Sequence, residues 1–148
     1  MHAGAPVEAR PRRGRGGLTY LAELGISAGR MQGGVGKISK ELTAASTRPL
    51  ILAVLSRGES YGYAIIREVR ERSGGVLAWS EGMLYPVLHR LEQEGVLRSR
   101  WDRSESGRRR KYYRITDEGV AALRAERSQW TAVHDTLNDL WGAEPCRT

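Results

Sequence analysis

The side chains best suited to bind a ligand in this sequence are guanidinium groups that cluster around one predicted turn. Between Val96 and Ile115, eight basic residues stand against two acidic ones, a balance of +6. The basic residues are Arg98, Arg100, Arg103, Arg108, Arg109, Arg110, Lys111 and Arg114. Arginine donates paired hydrogen bonds to phosphate oxygens. A charge run is often only a solvated strand edge, but cations gathered at a tip with Tyr112 and Tyr113 beside them favour contact with nucleic acid.

A helix must lie directly before this basic segment. Apolar residues recur there at three- and four-residue spacing, which places them on one helical face: Leu84, Val87, Leu88 and Leu91. Tyr85, His89 and Arg90 then lie on the opposite face. The opposite face is therefore the one that can enter a groove.

The ends of this helix carry their own signals. Ser80 is the expected N-cap, Glu81 complements the helix dipole, and Gly95 is the expected left-handed C-cap. Pro86 removes one backbone hydrogen bond and crowds the preceding turn. We therefore expect a loose or kinked first turn, with regular helix only from about Leu84.

The basic segment itself is predicted to form a β-hairpin. Residues 96–102 alternate in polarity, with Leu97, Ser99 and Trp101 on one face as in a half-buried strand. Residues 109–115 return, and residues 104–107 supply the turn. A third, very short strand near residues 78–79 would complete the sheet.

Three segments carry a resemblance to a known family. GESYGYAI, SEGMLYPVLHRLEQEG and SGRRRKYYRIT, in this order, resemble the PadR family of bacterial winged-helix transcription regulators, and the similarity runs from about Leu42 to Trp141. The resemblance implies a homodimer with two DNA-binding wings and a C-terminal dimerisation helix. It also implies repression that is relieved by a small hydrophobic or aromatic effector.

The predicted fold is mainly α with a small β-hairpin wing, a winged helix-turn-helix over residues 39–115 followed by a long C-terminal dimerisation helix over 116–142. Helical pattern begins at Lys40, with a restart expected where Ser46 or Thr47 caps a segment that has Pro49 in its first turn. Ser60 is expected to cap a supporting helix over residues 61–72.

By resemblance, Tyr61 or Tyr63 approaches the DNA backbone at the N-terminus of the supporting helix. Packing of the same tyrosine between helices is an equal alternative. The candidate DNA-binding residues are therefore Tyr61, Ser80, Tyr85, Arg90, Arg108, Arg109, Arg110 and Lys111.

The final helix, which Thr116 is expected to cap, has a coiled-coil-like seam. Leu123, Trp130 and Leu137 repeat every seven residues, and Val133 and Leu140 follow at an offset of three. About 25 helical residues span roughly 37 Å, more than so small a domain covers, so we expect a partner chain. Glu126 interrupts the seam and either sets its register or points to solvent.

Trp130 has two interpretations within that seam. The indole either packs the dimer or lines a slot for a planar apolar effector. Packing is the commoner role of a tryptophan at helical spacing.

Charge is unevenly distributed along the chain. The net charge is +7 and the isoelectric point is about 10.1; residues 1–48 contribute +5, 49–75 +1, 76–115 +4 and 116–148 −3. This asymmetry suits a middle segment that faces phosphate and a C-terminus that turns away from it.

Both ends are predicted to be disordered, residues 1–38 as a Gly/Arg-rich tail and residues 143–148 as a short end. Alternatively, the tail is a nonspecific DNA-binding arm, or Met31 is the true start and the residues before it are not part of the native product.

Enzyme function has little support. His2, His89 and His134 lie apart from one another and from acids at metal-ligand spacing, and Cys146 is the single cysteine. We expect no cofactor, no metal and no membrane span, and a cytoplasmic location. A rival interpretation is a winged helix that docks proteins without sequence-specific DNA binding, and an RNA-binding winged helix is a weaker third.

Overall fold

Four helices and three short strands follow one another in the computed structural model, which describes residues 36–142. Their order and bounds are α1 (Lys40–Leu55), β1 (Ser60–Tyr61), α2 (Gly62–Arg72), α3 (Glu81–Gln93), β2 (Leu97–Arg103), β3 (Arg109–Ile115) and α4 (Asp117–Gly142). The predicted C-terminal end, the alternative start at Met31 and the N-terminal tail before residue 36 lie outside the described residues.

The core forms where α1, α2 and α3 meet the base of the sheet. The predicted apolar stripe of α3 is confirmed, since Leu84, Leu88 and Leu91 are buried. They join a single cluster with apolar residues of α1, α2 and β2, among them Ile51, Leu52, Leu55, Ile65 and Leu97. Burial of this surface from water is the main stabilising contribution.

The first turn of α3 is regular, so the expectation of a loose start was wrong. The Ser80 hydroxyl accepts a hydrogen bond from the Met83 amide at 3.2 Å, and the helix begins at Glu81. Pro86 is the sixth helical residue, beyond the turn whose amides lack intrahelical partners. It removes only the donor to the Gly82 carbonyl, and both residues are exposed, so water can bind that carbonyl. Gly95 ends the helix with φ 81°, as predicted.

The first helix is continuous, and the expected restart at Ser46 or Thr47 does not occur. Ser39 caps α1 by accepting from the Leu42 amide at 3.2 Å. The hydroxyls of Ser46 and Thr47 donate back to the Thr43 carbonyl at 3.1 and 2.6 Å. Because both hydroxyls bond to a carbonyl within α1, neither serves as the N-cap of a second helix.

The predicted hairpin is confirmed, with β2 shifted by one residue at each end. The third strand is Ser60–Tyr61 rather than residues 78–79, and the order across the antiparallel sheet is β1-β3-β2. Ser60 lies opposite Tyr113. Because this backbone pairs with β3, α2 begins at Gly62 without a side-chain cap, and Ser60 does not have the predicted capping role.

The last helix contains 26 residues and begins as predicted, with the Gly119 amide donating to the Thr116 hydroxyl at 3.1 Å. Its first half packs on the core through Ala122 and Leu123. Its second half carries exposed apolar side chains. None of the described helices has both the length and the apolar character that crossing a bilayer requires.

Candidate nucleic-acid interface

A cleft opens between α3, called here the reader helix, and the wing, which is the hairpin of β2 and β3 with its turn. Its volume is about 650 Å³. The reader helix and the wing meet here because the base of the wing packs on the core beside α3, whereas the outer part of the hairpin projects beyond it. Six of the eight predicted DNA-binding residues line this cleft: Tyr61, Tyr85, Arg108, Arg109, Arg110 and Lys111.

The wing presents cations that no acid neutralises within the described part of the chain. Over residues 36–142, no carboxylate forms an ion pair with the cations of positions 108–111. Arg108 and Arg109 are exposed, and Arg110 and Lys111 are half-buried. Four cations on one short segment create a positive surface that attracts a polyanion.

Arg100 differs from these four cations because it has acidic partners. Its guanidinium bonds to Glu59 (Nε to Oε1, 3.1 Å) and to Asp102. Hydrogen bonds from Arg100 lower the pKa of Glu59 and the pKa of Asp102, so both remain ionised at neutral pH. Arg100 therefore connects the wing to the segment before β1.

Aromatic rings lie beside three of these four cations, Arg109, Arg110 and Lys111. The Arg109 guanidinium lies 4.6 Å from the centre of the Trp101 ring, and that of Arg110 lies 4.3 Å from the centre of the Tyr61 ring. Cation–π attraction restricts both guanidinium groups without neutralising them. The rings thus hold the charges of the wing in place and leave them available to phosphate.

Trp101 was predicted on the half-buried face of β2, but 58% of it is exposed. Alternation assigned its face correctly, since it shares that face with Leu97; however, the helices cover only the base of the hairpin. Trp101 lies in the cleft opposite Lys111 of β3. The hairpin register was the signal that could have identified it as a site residue.

The Tyr85 side chain is more closely packed against its neighbours than its predicted role in DNA binding implies. A Cβ atom at Gly62 would lie 2.6 Å from the Tyr85 hydroxyl oxygen, so the phenol packs directly over the first residue of α2. Burial, with a smaller contribution from Glu81, raises the pKa of Tyr85, and burial raises the pKa of Tyr113 to about 12. Both phenols remain protonated at neutral pH and can donate hydrogen bonds.

The remaining two predicted residues lie outside this cleft. The Ser80 hydroxyl is occupied as the helix cap. Arg90 lies on the other flank of α3, in a second cleft of about 500 Å³ that it shares with Lys40 and Arg48 of α1.

Between the two flanks, the outermost face of the reader helix consists of exposed Gly82, Pro86, His89 and Gln93. Of these four residues, only His89 was predicted from the sequence to face a groove. Their three- and four-residue spacing opposite the apolar stripe was the signal for the whole face. Its two small residues permit close approach of the helix backbone to a ligand.

The predicted dimerisation residues divide into two groups. Leu123 is half-buried against the core, whereas Trp130, Val133, Leu137 and Leu140 are exposed, the tryptophan by 37%. Trp141, which the predicted seam did not include, is exposed as well. A groove of about 840 Å³ runs between α1, the end of α2 and α4, and both Leu123 and Trp130 line it.

The amino-acid sequence matches a known family of transcriptional regulators. The model of the transcriptional regulator PadR-like family matches residues 51–125. A transcriptional regulator of Mycobacterium tuberculosis is 39% identical over 88 residues, which make up 60% of this chain and 78% of that protein.

Solved structures agree with the sequence match. A PadR-like transcriptional regulator from Bacillus cereus superimposes with a TM-score of 0.64 at 30% identity, covering 71% of this chain and 100% of its own. A PadR family transcriptional regulator from Eggerthella lenta gives a TM-score of 0.60 at 36% identity, covering 70% and 88%.

Proposed function

Because the chain belongs to the PadR-like family of transcriptional regulators, we propose that it is a homodimeric repressor that binds operator DNA and is released by a small hydrophobic or aromatic effector. The observation that carries the proposal is the cleft in which six of the predicted residues meet. It joins an exposed helix face to cations that have no acidic partner among the described residues.

In this proposal the two elements bind different parts of the duplex. The outer face of the reader helix enters the major groove, where base edges present a distinct pattern of donors and acceptors. The wing cations bind phosphate oxygens, which fixes the register of the protein on the duplex without selecting sequence. Two reader helices related by twofold symmetry would bind half-sites about 10 base pairs apart.

The homodimer is proposed from the second half of α4. Trp130, Val133, Leu137 and Leu140 form an apolar stripe that nothing covers in the described single chain. A stripe of this kind on a 26-residue helix is a suitable surface for a second copy of the same helix.

A gel-shift experiment tests the proposed function. The full chain is titrated onto duplex DNA from the region upstream of its own gene, with a shuffled duplex of the same composition as the control. Retardation of the first duplex at concentrations that leave the second unbound supports the proposal. Equal retardation of the two duplexes, or no retardation of either, would favour the winged helix that docks proteins without sequence-specific DNA binding.

The loss of a single wing cation should weaken the salt dependence of DNA binding. Arg108→Ala is expected to lower the slope of log affinity against log salt by about one unit per half-site, because one phosphate contact is lost. Specific and shuffled duplexes should weaken alike, since phosphates carry no sequence. Titrations at several salt concentrations measure both effects. An unchanged slope would identify Arg108 as part of a solvated edge.

The effector is proposed at Trp130, which lines the groove between α1 and α4. The groove volume of about 840 Å³ lies in the range of roughly 300–1,000 Å³ that is typical of small-molecule sites. A compound bound there releases the repressor only if it prefers the form that does not bind DNA. That preference must be about 1.4 kcal/mol for a tenfold change in operator affinity.

Tryptophan fluorescence distinguishes an effector site at Trp130 from simple packing of Trp130 in the dimer. In a background with Trp101 and Trp141 replaced by phenylalanine, the remaining indoles are Trp130 and the buried Trp79. Flat aromatic compounds are expected to quench saturably the part of the emission that Trp130→Ala removes. Trp130→Ala should abolish this binding while sedimentation still reports a dimer. Loss of the dimer on that substitution, without saturable quenching before it, would show that Trp130 only packs the interface.

A further inference from the structure

The C-terminal end of the reader helix is attached to the beginning of α4. The Thr116 hydroxyl donates to the Gly95 carbonyl at 2.7 Å, and the Thr116 amide donates to the Val96 carbonyl at 3.1 Å. Gly119 packs so closely that a Cβ atom there would overlap the Val96 carbonyl oxygen. The first turn of α4 is therefore fixed to the segment that directly follows α3.

A second attachment lies further along α4. Arg48 of α1 donates from Nε to Glu126 Oε1 at 2.5 Å, and its Nη1 donates to Glu94, which directly precedes Gly95 at the end of the reader helix. Glu126 lies nine residues beyond Asp117, about 14 Å along the helix axis. The sequence predicted that Glu126 either sets the register of the seam or points to solvent. Instead, its side chain is 18% exposed and bonded to Arg48.

Between these two attachments, Ala122 and Leu123 pack against the core. The Arg48 bridge lies farther along α4 than this packing, so it restricts the direction in which the second half of the helix extends. From the start of α4 to Leu140 the helix extends about 35 Å. A change of about 5° in the direction of α4 would therefore move the far end by about 3 Å, close to the 3.4 Å rise of one base pair. The angle between α4 and the reader helix thus controls how far apart two reader helices lie when their α4 helices pair.

We propose that Arg48 is a positioning residue that sets the half-site spacing accepted by the protein, because it joins the reader helix to α4 at a second point. This inference rests on the proposed function, since it requires a homodimer with two reader helices. Ion pairs of partly exposed side chains contribute little to stability. Loss of Arg48 should therefore change spacing preference far more than folding.

The experiment uses duplexes selected by the full wild-type chain from a random-sequence pool. A series is made in which the distance between half-sites is shortened or lengthened by about one or two base pairs from the preferred distance. Affinity is measured by fluorescence anisotropy for wild type, Arg48→Met, Glu126→Gln and Arg67→Met. Arg67 is the matched control because its ion pair with Glu71, at 3.8 Å, lies within one helix.

Wild type and Arg67→Met are expected to prefer one spacing. Arg48→Met and Glu126→Gln should both flatten that preference by about fivefold, the upper size expected for an ion pair of this exposure. Their salt slopes and melting temperatures should stay close to those of the control. Glu126→Gln is decisive because it retains the cation at position 48, so a phosphate contact by Arg48 would leave this variant unchanged.

The contradictory outcomes are distinct. A sharp wild-type preference that both variants retain would overturn the role of Arg48 and leave the proposed function standing. Flattening by Arg48→Met alone, with a lower salt slope, would overturn the positioning role in favour of a direct phosphate contact. Wild type that binds every spacing equally, yet more tightly than a shuffled duplex, would overturn the positioning role alone. Equal binding of the shuffled duplex would overturn the proposed function, and the positioning role with it.

Discussion

Alanine in place of Leu88 is expected to lower the free energy of unfolding by about 2 to 5 kcal/mol, because truncating a buried leucine leaves a cavity. Leu88 is fully buried in the core cluster at the centre of the reader helix. Urea or thermal unfolding of the purified variant measures the loss. The effect is large because the surrounding helices collapse only partly into the space.

Arg90→Ala is the matched change two residues along the same helix. Arg90 is exposed, so its replacement should change the free energy of unfolding of the protein by no more than about 0.5 kcal/mol. Its operator affinity is expected to fall. Equal destabilisation by Leu88→Ala and Arg90→Ala would mean that the buried and exposed faces of α3 have been assigned wrongly.

Replacing Arg108, Arg109, Arg110 and Lys111 together by alanine is expected to abolish DNA binding at physiological salt. A dimer would lose eight cations, and the slope of log affinity against log salt should fall by about seven units if each contacts a phosphate. Affinity near 0.15 M salt should then drop by more than about a thousandfold. Anisotropy titrations over a range of salt concentrations measure both quantities.

Arg100→Gln is the control for this quadruple variant. Arg100 lies on the same hairpin but already pairs with Glu59 and Asp102. Its replacement should change the slope by less than about one unit, because it adds little free charge at the surface. A quadruple variant with the wild-type slope would indicate that the wing is a solvated strand edge.

The sequence predicted those features that depend on residues close to one another in the chain. The stripe of Leu84, Leu88 and Leu91 follows from helical periodicity, and the caps at Ser80 and Gly95 follow from side-chain and backbone chemistry at the helix ends. The hairpin was predictable for the same reason, because its two strands are neighbours in sequence and alternate in polarity.

The features that sequence missed depend on distant pairing or on how far the helices extend. Ser60 pairs with Tyr113, more than fifty residues away, and no local pattern distinguishes such a strand from the first turn of a helix. Arg48 and Glu126 are 78 residues apart, so their contact exists only once α1 and α4 have packed. Alternation assigned Trp101 to a face, but only the fold shows where the helices stop covering it.

The candidate site was predictable to a similar extent. The cations at 108–111 were identifiable because charge density is visible in sequence. Arg90 was grouped with Tyr85 because both lie opposite the buried stripe, yet they occupy different flanks of the reader helix. A helical face is broader than a single groove, and the neighbouring elements decide which flank joins which cleft.

The most direct measurement is the affinity of the full chain for its selected operator duplex against a shuffled duplex, at about 0.15 M salt. A sequence-specific regulator should bind the operator at least about a thousandfold more tightly, with two protomers on each duplex. Equal affinity for the two duplexes would contradict operator recognition by the reader helix and the wing.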